Sequence, residues 1–401
     1  MTASAIIASR VFTGTEWRED AAVIVDGGKI VGIGRAATLA RDELACVETL
    51  PPEVVLAPGF IDVQVNGGGG ALLNDDPSVA CIGAIADSHR RYGGTTGMLP
   101  TLITDVPEKM QALERVAAQA LAIPGVLGFH LEGPFLNPAR KGVHLEEFIR
   151  MPTVTDLDLM CRFAAHGRSI VTLAPETCGD AVIETLAKSG LRVCAGHCEA
   201  SYEQMVSAVA HGMSGITHLY NALAPLGGRV PGVIGAALDD KRLYCGLIAD
   251  GHHVSASNVR LAFAMKTSDR IMLVTDAMPT AASETTSFNL QGRVLTLVDG
   301  RLTAGPDTLG GAHLTMLEAV RRMINMTGCT MADALVMASR TPAAFLGLEN
   351  SHGRIAPGFA ADLVAFDTSW WKAYATWIAG ARGAAQSDAK PDIEQRWSKS
   401  T

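Results

Sequence analysis

Between Leu127 and Phe148 the chain reads LGFHLEGPFLNPARKGVHLEEF, which sets His130, Glu132 and His144 around a Gly-Pro break. Glutamate and histidine are costly to bury on an apolar run unless something compensates them, so Glu132 calls for a partner. Two further histidines close short apolar runs downstream, His197 in "RVCAGH" and His218 in "GITHLYNA", and Asp276 closes another in "IMLVTDA". A carboxylate and two imidazoles delivered from separate segments can bind a divalent cation and leave one position open for water, the arrangement of a catalytic rather than a structural site. Such an ion offsets the burial of Glu132 and draws the pKa of its water toward neutrality, making hydroxide available to attack a carbonyl. Asp276 can then take a proton from that water and deliver it to the leaving group.

The elements that must position these side chains show in the same runs. "FIDVQVNG", "TTGMLPTL", "VLGFHLEG", "IVTLAPE", "RVCAGH", "GITHLYNA", "CGLIADG" and "IMLVTDA" alternate with stretches of helical spacing such as "EKMQALERVAAQALA" and "SYEQMVSAVAHG". Eight runs in βα alternation predict an α/β fold, a (β/α)8 TIM-type barrel over residues 58–346. Gln64, Asn66, Glu132, Glu176, His197, His218, Asp250 and Asp276 fall at or near the C-terminal ends of these runs, where such barrels build their active sites. Within "GFHLEG" the period of two sends His130 and Glu132 to one side and Phe129 and Leu131 to the other, so Glu132 is expected in the barrel mouth. Residues 1–57 read as β structure, with a tight hairpin at Asp26, Gly27 and Gly28. "GRIAPGFAADLVAFD" from Gly353 repeats that signature, after which the chain turns polar and is expected to fray. The two ends, 1–57 and 347–401, are expected to form one small β-sandwich domain.

With 401 residues, 48% of them hydrophobic, the chain can bury a large core. Its formal net charge is -8 and its 33 basic residues are scattered, which argues against nucleic acid or an anionic membrane surface as partner. "MTASAIIASRVF" lacks the marks of a secretory leader and no run is long enough to span a bilayer, so a cytoplasmic protein with reduced thiols is expected. The "CAGHC" cluster, Cys194 to Cys198, has no second cysteine pair at structural-zinc spacing and reads as buried free thiol. His89, His166, His211 and His352 read as surface histidines, and for His313 after "LGG" a place near the ligand is the lesser of its two readings. Glu176 fits a structural hydrogen bond at a strand end. The "GGGG" of Gly67 to Gly70 is expected to be a flexible loop rather than a phosphate cradle, since no P-loop lysine follows it.

Seven motifs in order, "APGFIDVQVNGGGG", "HLEGPFLNPARKGVH", "AGHCEA", "THLYNALAPLGGRVPG", "IADGHHV", "VTDAMP" and "TLGGAHLTM", resemble the N-acetylglucosamine-6-phosphate deacetylase family of the amidohydrolase superfamily. The resemblance runs from about residue 57 to 346. It implies that Glu132, His197 and His218 hold the catalytic metal, that Asp276 is the general acid/base, and that His144 steadies the oxyanion. It also implies substrate contacts from Val143, Asn221, Ala222, Arg229, His253, Leu309, Gly310 and Gly311. Arg229 and His253 would be the phosphate anchors, as a guanidinium fork and an imidazole both suit phosphate oxygens. Of the His252–His253 pair, the second is expected to face the ligand.

Many amidohydrolases carry His-x-His at the end of strand one and bind a second metal there; this chain has Gln64 and Asn66, and neutral amides are poor ligands beside imidazole. One divalent metal per subunit is therefore expected, zinc or iron(II), with Gln64 and Asn66 hydrogen-bonding around it. The activity implied is hydrolysis of N-acetylglucosamine 6-phosphate to glucosamine 6-phosphate and acetate, and the implied assembly a homodimer in which Arg229 serves either its own or the neighbouring subunit's site. A galactosamine 6-phosphate substrate is the near alternative. A cyclic amidase is disfavoured by Gln64, Asn66 and the lack of lysine in "IVTLAPE", and a non-catalytic sugar-phosphate sensor by the retention of Asp276 with all three ligands.

Overall fold

The computed structural model describes residues 3–303, 305 and 308–383. Eight parallel strands form the barrel: β1 (Phe60–Val65), β2 (Thr95–Ile103), β3 (His130–Glu132), β4 (Ile170–Leu173), β5 (Arg192–Ala195), β6 (Met213–Ile216), β7 (Tyr244–Ile248) and β8 (Ile271–Val274). Each pairs with the next in chain order, from β1 through to β8. The ring closes between β8 and β1 through a parallel bridge of Val65 with Ala277 and a 2.9 Å bond from the Asp276 amide to the Gln64 carbonyl. The Thr275 hydroxyl donates to the Asp62 carboxylate at 2.5 Å across the same seam. All eight apolar runs of the sequence are strands, and "TTGMLPTLI" is buried at every position, as expected of a parallel strand covered on both faces.

Helices between the strands start where their sequences carry caps. Ser201 and Gln204 form a capping box at Tyr202–Ala210, Ser78 caps Val79–Gly93, and Pro107 opens Pro107–Ala120 at the position where a missing amide hydrogen costs nothing. The buried faces of these helices pack on the strands in one continuous core that includes Phe129, Leu131, Phe163 and Leu186. Phe129 is fully buried, and truncating it to alanine would cost about 3–5 kcal/mol.

The chain ends build a second sheet. Ser4–Phe12 pairs with Trp17–Asp26 and with Val54–Pro58, and the sheet continues through Leu363–Asp367 to Lys372–Ile378 and Ala381–Arg382. Gly27 and Gly28, both at positive φ, make the predicted turn between Trp17–Asp26 and Lys29–Arg35. The expected fraying after Asp367 does not occur up to residue 383: in "KAYATWI" the small Ala373 and Ala375 and the ring of Trp377 are buried against the sheet. The remainder of the polar tail, 384–401, lies outside the described residues.

Two further expectations change. Gly67–Gly68 pairs with Ala71–Leu72 in a short hairpin, and the Gly69 and Gly70 amides donate to Ala281 and Pro279, so the glycine run is an ordered turn. His89 is fully buried rather than on the surface. Its Nε2 lies 3.0 Å from the Gly67 carbonyl, in space that a Cβ on Gly68 would invade at 2.5 Å. His166, His211 and His352 are half-buried. Among the described residues, no helix is long and apolar enough to cross a membrane.

Candidate active site

At the C-terminal end of the barrel the tips of β3, β5 and β6 converge. Glu132 Oε1 lies 3.1 Å from His197 Nε2 and 2.9 Å from His218 Nε2, and the two imidazole nitrogens are 3.1 Å apart. All three side chains are buried. His197 Nδ1–H donates to the Arg140 carbonyl at 2.8 Å, which fixes the tautomer and turns the Nε2 lone pair into the triangle. That lone pair faces a carboxylate oxygen. One proton on His218 Nε2 can satisfy Glu132, yet it leaves two acceptors opposed across 3.1 Å, whereas a cation satisfies every atom of the set. Ligands bonded tetrahedrally at about 2.0–2.1 Å sit about 3.3 Å apart, close to the spacing found.

His144 stands beside the triangle, its ring centroid 4.4 Å from that of His197 and its Nδ1 buried without a protein hydrogen-bond partner. One ligand atom from each of Glu132, His144 and His197 also lies within 4.8 Å of the other two. The set with His218 is the tighter one, and His144 stands at its side.

The backbone is bent to deliver these groups. His197, His218 and Asp276 each follow the end of a strand and each has positive φ, 50°, 32° and 49°. Non-glycine residues held so cost of order 1–3 kcal/mol each, strain that a packed framework must sustain and that clusters at working sites. Gly196 before His197 gives the room: a Cβ there would lie 2.6 Å from the Thr172 methyl.

Gln64 and Asn66 fill the side where a second pair of imidazoles would be. Gln64 Nε2 donates to Glu132 Oε2 at 3.2 Å and to Asp276 Oδ1 at 3.3 Å, and Asn66 Nδ2 donates to the same Asp276 oxygen at 2.6 Å. Burial is the largest influence on the Glu132 carboxyl and pushes its pKa up, but the bonds and charges of His197 and His218 outweigh it and hold it well below the ordinary value. Asp276 goes the other way: burial, then the Glu132 charge, raise it to about 6, against smaller opposing pulls from His218, His253 and the Asn66 bond. Two neighbouring carboxyls pushed apart in this way suit different tasks. His144 is held well below its ordinary 6.5 by burial and next by the neighbouring His197.

A cleft of about 480 Å³ opens above these groups, a size suited to a small ligand. Asn66, Glu132, Val143, His144, His197, His218, Asn221, Ala222, His253, Asp276, Leu309 and Gly311 line it. Gln64 lies just beneath, and Gly310 just behind, where a Cβ would collide with Leu295 at 2.3 Å. Of the histidine pair, His253 faces the cleft while His252 abuts Gly300. His253 Nδ1 lies 2.6 Å from Asp250 Oδ2, and the Asp250 Oδ1 accepts both the His252 and His253 amides at 2.8 Å. Glu176 accepts from Asn137 Nδ2 and the Glu199 amide, the structural bond expected of it. His313 is not among the lining residues, and Arg229 is exposed on the segment before Gly232–Asp239, outside the cleft.

Two parts of the site escaped the sequence reading. Asp62 was passed over as part of an apolar run, although it is fully buried on the seam behind Asp276. The segment after β8 folds as three antiparallel strands, Ser287–Leu290, Arg293–Val298 and Arg301–Thr303, beside the cleft. Its Leu290, Leu295 and Leu302 pack with Val143 and Met278. The dipeptides Gln291-Gly292 and Asp299-Gly300 between alternating apolar residues were the available hairpin signal.

Residues 55–395 match the Amidohydrolase family. This chain belongs to the amidohydrolase family. The amidohydrolase is 39% identical over 332 residues to the N-acetylgalactosamine-6-phosphate deacetylase of Shewanella sp. (strain ANA-3), covering 81% of this chain and 82% of that one. To the human N-acetylglucosamine-6-phosphate deacetylase it is 37% identical over 344 residues, with 81% and 82% covered. The crystal structure of N-acetylglucosamine-6-phosphate deacetylase from Pasteurella multocida superposes with a TM-score of 0.90 at 33% identity, covering 95% of this chain and all of that one.

Proposed function

We propose that this amidohydrolase hydrolyses the N-acetyl group of N-acetylglucosamine 6-phosphate, releasing glucosamine 6-phosphate and acetate. The observation that carries the reading is the Glu132, His197 and His218 triangle set beside a carboxyl of raised pKa at the floor of a cleft, in a chain similar to deacetylases of amino-sugar phosphates. A divalent cation held by those three residues, zinc or iron(II) from its mixed oxygen and nitrogen donors, supplies Lewis-acid activation of a water molecule.

The protein's own groups do the rest. Asp276, ionised at neutral pH and held by Asn66 and Gln64, takes a proton from the attacking water and returns it to the departing amine. His144, at the open side of the triangle, donates to the carbonyl oxygen as negative charge develops on it. His253, its Nδ1 held 2.6 Å from Asp250 Oδ2, turns Nε2 toward the phosphate site. Asn221, Ala222, Leu309, Gly310 and Gly311 shape the sugar site.

The exposed Arg229 is read as the second phosphate anchor of the neighbouring subunit in a homodimer. Supporting this, Leu226 and Val230 on the same segment are 48% and 68% exposed, apolar surface suited to a partner. The barrel, 58–346, carries the chemistry, and the sheet from the two chain ends, within 3–57 and 347–383, braces it. The eight free thiols suit a cytoplasmic setting.

A second reading, the galactosamine 6-phosphate substrate, is favoured by the Shewanella relative's name. Acetate release from N-acetylglucosamine 6-phosphate, N-acetylgalactosamine 6-phosphate and unphosphorylated N-acetylglucosamine separates the two. The first should be the best substrate and the last by far the worst. Faster turnover of the galactosamine compound would install the second reading, and no acetate from either phosphate would remove both.

A further inference from the structure

The three-stranded sheet packed against the cleft wall at Val143 and Met278 is fastened at its hairpin tip. Leu290 and Arg293 pair across a two-residue turn, Gln291 and Gly292, both at positive φ. From either side of that turn a side chain reaches down to a main-chain carbonyl of the barrel mouth. Gln291 Nε2 donates to the Thr104 carbonyl at 2.8 Å, and the Thr104 hydroxyl in turn donates to the Glu132 carbonyl at 3.2 Å. The Arg293 guanidinium donates to the carbonyl of Val143, the residue before His144. At the other end of the sheet the Asp299-Gly300 turn rests by His252, where a Cβ on Gly300 would come within 3.1 Å of Nε2.

Val143 and His144 lie on a loop, held locally by the turn bond from the His144 amide to the Lys141 carbonyl. Val143 is 8% exposed, and a buried carbonyl left without a donor is costly. A charged donor to that carbonyl therefore sets where the next side chain points. We propose that Arg293 is a positioning residue for the deacetylation: its bond to Val143 holds the His144 imidazole at the open side of the triangle, and Gln291 pins the same hairpin tip to the barrel. This rests on the function proposed above, in which His144 steadies the oxyanion. Placement errors of an ångström at such a group cost up to about a hundredfold in rate.

The test compares metal-loaded wild type, Arg293→Ala, Arg293→Lys and Gln291→Ala by steady-state acetate release and by amide hydrogen exchange over residues 138–148. Arg293→Ala should lower kcat roughly ten- to a hundredfold with KM within about threefold and metal content unchanged, and should speed exchange in that segment. Arg293→Lys, which keeps one charged donor, should recover most of both losses, and Gln291→Ala should show the same pattern more weakly. Unchanged exchange with kcat within twofold of wild type overturns the proposal, as does a rise in KM alone, which would make Arg293 a substrate contact. An inactive wild type whose exchange still rises in Arg293→Ala would overturn the function proposed and leave the positioning standing.

Discussion

Asn66 Nδ2 donates a 2.6 Å hydrogen bond to Asp276 Oδ1, tying the end of the first barrel strand to the group proposed to move protons. Where a metal-binding imidazole would serve a second ion, this amide instead steadies the carboxylate on one oxygen. Asn66→Ala should lower kcat by about tenfold, the worth of a bond to a charged group. The bond favours the ionised form, so its loss should also move the acid limb of the rate profile to higher pH. A profile that stays in place would show that the bond does not act on Asp276.

The acid limb itself follows from Asp276. Burial and the nearby Glu132 charge raise its pKa to about 6, and a base must be ionised to accept a proton. The rate should therefore fall about tenfold per unit as pH drops below about 6, or somewhat lower once a cation offsets the Glu132 charge. Asp276→Asn should bind metal and sugar phosphate as wild type does, lose about 10²–10⁴ in turnover and lack that limb. Kinetics from pH 4.5 to 8, with metal content measured on both proteins, checks this.

Arg229→Ala should raise KM by about ten- to a hundredfold with little change in kcat, because a phosphate contact remote from the reacting amide contributes to ground and transition state alike. If Arg229 serves the partner's site, mixing Arg229→Ala with an Asp276→Asn chain should produce hybrid dimers in which one site combines both intact residues. Unchanged KM in the single variant would end the phosphate assignment.

Asp62 bears on stability. Burial, the largest influence, lifts its pKa from 3.8 to about 7 against the lowering effect of its bonds to Thr275 and Gln64. A carboxyl whose folded pKa exceeds its unfolded one gives stability that is complete below the unfolded value and is lost as pH rises toward the folded one. The wild type should therefore lose several degrees of Tm between about pH 4 and pH 7 from this residue, a loss that Asp62→Asn should not share. Parallel Tm-against-pH curves for the two proteins would contradict it.

The barrel and the triangle were legible because both are written in local runs. Eight apolar stretches with polar ends announce strands whose tips face one mouth, and Glu132, His197 and His218 stand at such tips. Asp62 was not legible, because its meaning lies in Thr275, which is 213 residues away in sequence and meets it only when the ring closes. Arg293 was missed for a similar reason. On its own strand it reads as a solvated cation, and only the descent of the hairpin onto Val143 gives it a partner. His89 looked like a surface residue because helical spacing does not reveal a neighbouring glycine that leaves room for a ring.

The most direct test strips the protein of metal and titrates it with zinc or ferrous ion while following acetate release from N-acetylglucosamine 6-phosphate. A single cation held by Glu132, His197 and His218 predicts negligible activity in the stripped protein and a linear rise that breaks at one ion per chain. Full activity without metal, or a break at two ions, would contradict it.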